Sequence, residues 1–298
     1  MLGIATVKTL RDRPVVRLGL AAGLVLGLAQ CDREPREQPI DAEPIVETPV
    51  PEPDIATPTS LDRADFLGAI SRAGSAYATG TTASGADPLV GRTFAIRLPF
   101  GCGRPDRAPS EATPGADAAT RAPDAGLPTL AWGPENETLR LSLTPDDWSD
   151  TALITSSGAG DRWEAVEGFW LSRPWLGSET CPQRIDRDPL GGGTGQADPQ
   201  TVGLASVHET NSSRLGRRDG QAYRFTLRGE DDRAPVPSPM GYRVVLEGRF
   251  ASFPDGRAIR CRAASIDQRP VCIAAVQLDR VAFEDGSSGS VLSEWRPG

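Results

Sequence analysis

Short runs in which apolar and polar residues alternate recur along most of this chain, and they limit its fold more than any other feature. Such alternation places one row of side chains on the core face of a β-strand and the other row on the opposite face. The pattern predicts a mainly β domain, an antiparallel sandwich or barrel of about nine strands. The clearest runs contain Phe94, Ile96 and Leu98; Leu139, Leu141 and Leu143; and Tyr223, Phe225 and Leu227; further candidates are 163–171, 202–207, 242–250, 259–261, 272–283 and 290–295.

One short helix is predicted ahead of the strands. Phe66, Ile70, Ala73 and Tyr77 recur at helical spacing over 61–78, and Ser60 is placed to cap the first turn. Helices and strands do not alternate after this point, so we do not expect a doubly wound parallel sheet.

The N-terminal 30 residues combine positive charge with an apolar run. Lys8, Arg11, Arg13 and Arg17 precede the stretch 18–29, which has 12 residues. This arrangement is typical of a secretory signal peptide, and the run is too short to span a hydrocarbon core of about 30 Å. We therefore expect 1–30 to be a targeting segment and the rest of the chain to be exported.

The apolar run leads into the tetrapeptide Leu28-Ala29-Gln30-Cys31. This sequence resembles the lipobox of bacterial lipoproteins. The resemblance implies that Cys31 carries lipid, becomes the first residue of the mature chain and holds it to a membrane. It also implies a location in the bacterial cell envelope, facing the periplasm or the cell surface.

Composition divides the remaining chain into a linker and a domain. Residues 32–60 contain seven Pro, eight acidic residues, two Arg and no aromatic residue, so they cannot bury enough apolar surface to fold. The expected order is a lipid anchor with an acidic, Pro-rich linker over 31–60 and a β-rich domain over 61–298. Within the domain, the Pro- and Ala-rich stretch 103–128 predicts a loop insertion, and 186–201 predicts another loop.

Five cysteines are present, and four remain once Cys31 is assigned to lipid. Four cysteines in an exported domain indicate two disulfides, for which three connectivities exist. We predict Cys102–Cys181 and Cys261–Cys272, because the second pair brackets a hairpin-like excursion between two strands. Each pair then lies in its own half of the domain, which allows a subdomain split near residue 210.

Few side chains in this chain could serve in catalysis. His208 is the only His and Lys8 the only Lys, and the cysteines lack CxxC spacing, so neither a metal centre nor a Walker-type phosphate loop is expected. His208, with Ser206 nearby, is a weak candidate for acid–base chemistry. Its simpler interpretation is a strand-end or surface histidine. We expect no cofactor.

Two carboxylate clusters, 146–150 and 230–232, supply the other weak catalytic candidates, Asp147 and Glu230. Solvated charge is the simpler interpretation of both. The first cluster follows Thr144-Pro145 and is typical of a capped helical turn. The Gly-rich run 191–195 could cradle an anion, but a flexible loop is the better interpretation.

The segment WEAVEGFWLSRPW concentrates aromatic residues. Trp163 and Trp170 lie on opposite faces of a regular strand. One face could therefore fill the core while the other offers a platform to a protein, peptide or glycan. The candidate binding residues are Trp163, Trp170 and Trp175, with Arg173 at the rim. The alternative is a strand buried on both faces.

These features favour a binding or scaffold role over catalysis. The sequence predicts a membrane-anchored envelope lipoprotein with a non-catalytic domain, whose partners are the membrane, through Cys31, and an envelope protein or glycan. An envelope hydrolase that uses His208 or a carboxylate pair is the alternative. The net charge of −8 argues against a nucleic-acid partner.

Overall fold

The computed structural model of the chain describes residues 59–81, 84–102, 125–172, 177–181, 200–211, 214, 216–229 and 233–297, all within one compact unit, 56–298. The predicted signal peptide, Cys31 and the linker up to residue 58 lie outside the described residues. So do residues 103–124 of the predicted insertion, the Gly-rich run 191–195, Arg173, Trp175 and Glu230.

The described residues form two α-helices and eleven strands, so the domain is mainly β as expected. In chain order they are α1 Arg63–Thr79, β1 Thr93–Phe100, β2 Pro128–Trp132, β3 Thr138–Leu143, β4 Asp146–Asp147, α2 Ala152–Thr155, β5 Trp163–Trp170, β6 Val202–Glu209, β7 Tyr223–Arg228, β8 Tyr242–Phe250, β9 Ile259–Arg262, β10 Val271–Asp285 and β11 Val291–Trp295.

The strands make two open sheets. The larger has eight strands in the order β1-β8-β10-β6-β5-β4, with β9 and β11 also paired to β10, and the smaller has the order β2-β3-β7. The 15-residue strand β10 is the spine of the larger sheet. Its first half lies between β6 and β9 and its second half between β8 and β11. The pairing of β6 with β10 is parallel, which departs from the fully antiparallel expectation.

Two hydrophobic cores cover the two faces of the larger sheet. The first lies between the sheets and beneath α1, with Phe66, Leu98, Leu141, Leu246 and Phe283 fully buried in it. The second lies on the opposite face and is built from a different set: Trp148, Ile154, Trp163, Val166, Ala205, Val207, Phe253, Ile273 and Ala275, with smaller neighbours. Because β6 is buried on both faces, 202–207 shows no clean alternation.

Helix α1 begins later than the sequence predicts. Asp62, not Ser60, is its N-cap: the Asp62 side chain accepts from the backbone N–H of Asp65 at 2.9 Å, in a capping box. Leu61 is held in extended conformation because its N–H donates to the carbonyl of Thr93 on β1. The helix ends at Gly80, whose φ of 64° is left-handed. None of the helices in the described ranges is long and apolar enough to cross a membrane.

Two strands of the structure are absent from the sequence prediction. Strand β2 begins at the end of the predicted insertion and buries one large side chain, Leu130, so its alternation is too short to detect. Strand β4 replaces the helical turn expected after Thr144-Pro145: Asp146 and Asp147 pair with Gly168 and Glu167 of β5.

Both predicted disulfides are present, Cys102–Cys181 and Cys261–Cys272. Strands from either side of residue 210 pair in both sheets, β3 with β7 and β6 with β10. The suggested split near 210 therefore corresponds to no break in either sheet.

Candidate functional site

His208 lies on β6 beside a buried carboxylate. Its Nε2 is 3.8 Å from Oε2 of Glu167 on the neighbouring strand β5, so an ion pair forms when the imidazole is protonated. His208 is opposite Ala165 and Glu167 is opposite Ser206, which makes the two ionisable side chains diagonal neighbours on one face of the sheet. Among the described residues, Nε2 of His208 has no hydrogen-bond partner.

Glu167 occupies an inward position of an apolar strand, on the same face as Phe169. It is 6% exposed, and its Oε1 accepts hydrogen bonds from the backbone N–H groups of Arg218 (2.6 Å) and Asp219 (3.0 Å). These bonds offset much of the cost of burying a carboxylate and fasten the segment before β7 to β5. Sequence reasoning misses Glu167, although an acid at an inward strand position is a detectable signal.

Tyr223 on β7 is buried and lies within the electrostatic influence of Glu167. Burial, followed by the negative charge of Glu167, raises the pKa of the Tyr223 hydroxyl well above its ordinary value, and Arg218 works in the opposite direction. The guanidinium carbon of Arg218 lies 4.6 Å from the centre of the Tyr223 ring, and Trp295 packs edge-on against that ring. The hydroxyl therefore stays protonated at physiological pH and cannot act as a base.

The catalytic candidates are brought only partly together. The strand register aligns exposed Asp147, buried Glu167 and buried Ser206 across β4, β5 and β6, with His208 beside the row. Ser206 is 4% exposed, so its hydroxyl is not presented to a substrate. The described residues contain no group of three or more His, Cys, Asp or Glu side chains that could hold a metal ion.

Asp146 is not the solvated charge that the sequence predicts. Only 5% of it is exposed, and its Oδ2 accepts a hydrogen bond of 2.8 Å from Nε1 of Trp148. Trp148 lies on the larger sheet over Gly168 and Gly203, since a Cβ on either glycine would overlap the indole. The carboxylate therefore positions a core side chain.

The described tryptophans of the predicted aromatic platform are largely core residues. Trp163 is 4% exposed and packs against Phe253 with ring centroids 5.2 Å apart. Trp170 is half-buried and packs against Trp148, with centroids 4.5 Å apart. Of these residues, Trp170 alone retains an edge that a partner could contact.

A groove of about 940 Å³ lies between α1 and β9 and was not anticipated from the sequence. Its apolar lining comes from Ala69, Ala73, Ala76, Leu89 and Ile259. Tyr77 is 45% exposed there, and its hydroxyl accepts from the backbone N–H of Ala263 just after β9 at 3.1 Å. Just before β9, the Asp87 carboxylate accepts from the N–H of Ala258 at 2.9 Å. The groove therefore follows β9 between two side-chain contacts.

Three arginines and two aspartates also line this groove: Arg72, Arg257, Arg260, Asp87 and Asp255. Both carboxylates are engaged with the walls, since Asp87 holds Ala258, and Asp255 accepts from the N–H of Arg257 (3.1 Å) and lies 3.7 Å from Nε of Arg260. The lining is therefore apolar with an excess of positive charge.

Comparison of the chain with protein-family models, with curated proteins and with solved structures finds no match. The function is therefore inferred from the residues and their geometry.

Proposed function

We propose that this chain is a bacterial envelope lipoprotein, anchored through Cys31, whose disulfide-braced β domain binds a partner without catalysing a reaction. The anchor is supported by the basic and apolar segment that precedes Cys31 and by the acidic, Pro-rich linker that follows it. The linker would hold the domain away from the membrane surface.

The groove between α1 and β9 is the observation that carries the binding role. It is concave, mostly apolar and edged by a few charged groups, which is the usual character of a recognition site. Its lining contains no histidine and no serine, its single cysteine, Cys261, is held in a disulfide, and its two aspartates, Asp87 and Asp255, are engaged with the walls. Binding therefore suits this surface better than hydrolysis.

An envelope hydrolase stays the second candidate, because His208 and Glu167 lie side by side. In that case His208→Ala would abolish the cellular activity without changing the melting temperature. A binding domain that uses the α1–β9 groove would retain its activity in this variant.

The anchor is tested by Cys31→Ser. We expect this variant to lose labelling by radioactive palmitate and to leave the membrane fraction, while Cys261→Ser with Cys272→Ser keeps both properties. Labelling of the Cys31→Ser variant at the wild-type level would contradict the anchor.

The binding role is tested in cells with a photo-crosslinking amino acid at Ala76, in the groove, and at Arg228, on the exposed face of β7. We expect a discrete adduct from position 76, no such adduct from position 228, and loss of the first when Ala73→Arg fills the groove. Equal crosslinking at both positions, or none at 76, would overturn the binding role.

A further inference from the structure

We propose that the groove between α1 and β9 accepts an extended peptide that carries acidic side chains and adds to the larger sheet as a strand beside β9. This inference rests on the proposed binding function and names the chemistry of the partner.

The backbone of β9 turns its outer edge toward the groove. Cys261 is opposite Cys272, and the N–H of Cys272 donates to the carbonyl of Thr201 on the other side of β10. Because peptide groups alternate in direction along a strand, those of Ile259 and Cys261 point away from β10. Among the described strands, only β10 pairs with β9. These peptide groups are therefore placed to pair with an added strand.

One backbone N–H on the outer edge of β9 already has a hydrogen-bond acceptor in the structure. The N–H of Ala263, two residues beyond Cys261, points to the same side as that of Cys261 and donates to the Tyr77 hydroxyl. The hydroxyl oxygen takes the place that the carbonyl of a neighbouring strand would occupy. An added peptide would continue this row of acceptors toward Ile259, over the apolar floor of the groove.

The length of the edge sets the size of the ligand. Asp87 and Tyr77 contact the backbone at Ala258 and Ala263. At about 3.3 Å per residue this span is roughly 16 Å, enough for four or five residues of extended chain. The groove volume of about 940 Å³ accommodates side chains of that number of residues.

The positive charge in the lining of the groove favours acidic side chains in the ligand. Arg72 is an exposed side chain of α1 on one wall of the groove, whereas Arg260 is paired with Asp255 and lies over the ring of Phe253. A peptide with acidic residues between apolar ones would place a carboxylate near the guanidinium group of Arg72 and apolar side chains on the alanines of α1.

The edge is rigid, which lowers the entropy lost on binding. The disulfide Cys261–Cys272 fastens β9 to β10, and α1 packs closely on it, since a Cβ on Gly74 would contact Sγ of Cys272 at 3.7 Å. The peptide would therefore meet a preformed strand.

The test uses the full chain, purified in detergent, and a fluorescein-labelled peptide of alternating Glu and Val. Fluorescence anisotropy at about 50 mM salt should show saturable binding below about 1 mM peptide. A matched peptide with Lys in place of Glu should bind at least fivefold more weakly, because it would meet like charge. A Glu–Val peptide with alternate N-methylated peptide bonds should not bind, because it cannot pair along the edge.

Two protein variants test whether the peptide binds in the groove. Arg72→Glu should weaken binding of the Glu–Val peptide by about five- to tenfold, with the effect shrinking as salt is raised. Arg140→Glu, an exposed position on β3 of the smaller sheet, is the matched control and should leave affinity unchanged. Equal effects of the two variants would overturn the inference.

Three further results would also overturn the inference. They are equal affinity for the Glu and Lys peptides, full binding of the N-methylated peptide, and absence of saturable binding. If the crosslink at position 76 persists while any of these results is found, strand addition by an acidic peptide is wrong and the binding function stands. If that crosslink is absent, the proposed function itself fails.

Discussion

The indole of Trp148 lies directly on Gly168 of β5, in the space that any larger residue would fill with its side chain. Gly203 of β6 provides the same clearance next to it, and Asp146 accepts the indole N–H. Two glycines, one acid and one tryptophan thus form a single packing unit on the outer face of the larger sheet, close to its β4 edge.

Gly168→Ala should destabilise the domain by about 2–4 kcal/mol, because its Cβ would overlap the Trp148 ring and the backbone of a strand that is paired on both sides cannot easily move away. Urea unfolding followed by tryptophan fluorescence measures the change. Gly160→Ala is the control, since a Cβ there meets nothing within 4 Å, and it should alter stability by less than about 0.5 kcal/mol. In a protein that already carries Trp148→Ala, the Gly168→Ala substitution should reduce the free energy of unfolding much less than it does in the wild type. If the losses from the two substitutions simply added, direct packing of Trp148 on Gly168 would be contradicted.

Replacing each disulfide by a pair of serines should destabilise the domain unequally. The Cys261–Cys272 bridge closes a sequence separation of 11 residues and the Cys102–Cys181 bridge one of 79. Loop-closure entropy then predicts losses of about 3 and about 4.5 kcal/mol respectively. Chemical denaturation of both variants, with oxidised wild-type protein as reference, checks the order. A larger loss for the shorter loop would show that entropy of the unfolded chain does not dominate.

Glu167→Leu should lower the free energy of unfolding by roughly 2–4 kcal/mol, because the backbone N–H groups of Arg218 and Asp219 would lose their acceptor inside the protein. Glu167→Gln keeps one acceptor oxygen and should cost less. On the same strand, Glu164→Gln removes a carboxylate of the more exposed pairs with Arg214 and Arg217 and should change stability by less than about 1 kcal/mol. Equal losses for Glu167→Leu and Glu164→Gln, measured by denaturant unfolding, would rule out this role of Glu167.

Asp285 should make part of the stability depend on acid pH. Burial works against its ionisation, but hydrogen bonds from Ser288, Ser238 and Ser287 outweigh burial and lower the pKa of the Asp285 carboxyl. Since the folded pKa is below the unfolded one, the stabilisation is complete above the ordinary aspartate pKa of about 4 and is lost as pH falls through the folded value.

The corresponding variant is Asp285→Asn, which keeps an acceptor oxygen but cannot ionise. Wild type should be more stable than this variant at pH 7, by no more than about 0.5 kcal/mol because solvent screens this exposed carboxylate, and the difference should shrink as the pH falls below about 4. Thermal unfolding from pH 7 to pH 2 measures this. A difference that stays constant over the range would mean that the charge of Asp285 plays no part.

The strand content and the Cys261–Cys272 disulfide could be predicted from the sequence because their signals are local, and the Cys102–Cys181 pair then joins the two cysteines that remain. Alternation in Leu139, Leu141 and Leu143 reports a half-buried strand wherever that strand is placed. The pairing of Cys261 with Cys272 follows from a hairpin between neighbouring strands. The helix start was displaced by two residues because pairing of Leu61 with β1, a long-range contact, moved the cap from Ser60 to Asp62.

The sites were harder to predict, since each depends on residues far apart in the chain. Asp146 looks solvated in sequence and is buried because Trp148 folds back over β5 and β6. Glu167 and His208 meet only through the register of two strands separated by about 40 residues.

By itself, the sequence determined the β character of the domain, its short leading helix and the Cys261–Cys272 disulfide, since periodicity and close cysteine spacing act over short distances. Only the tertiary structure decided that Glu167 faces His208, that two glycines receive Trp148, and that α1 and β9 enclose a groove. The physical reason is that strand order and register, which no local pattern encodes, determine which side chains share a face and which edge is left open.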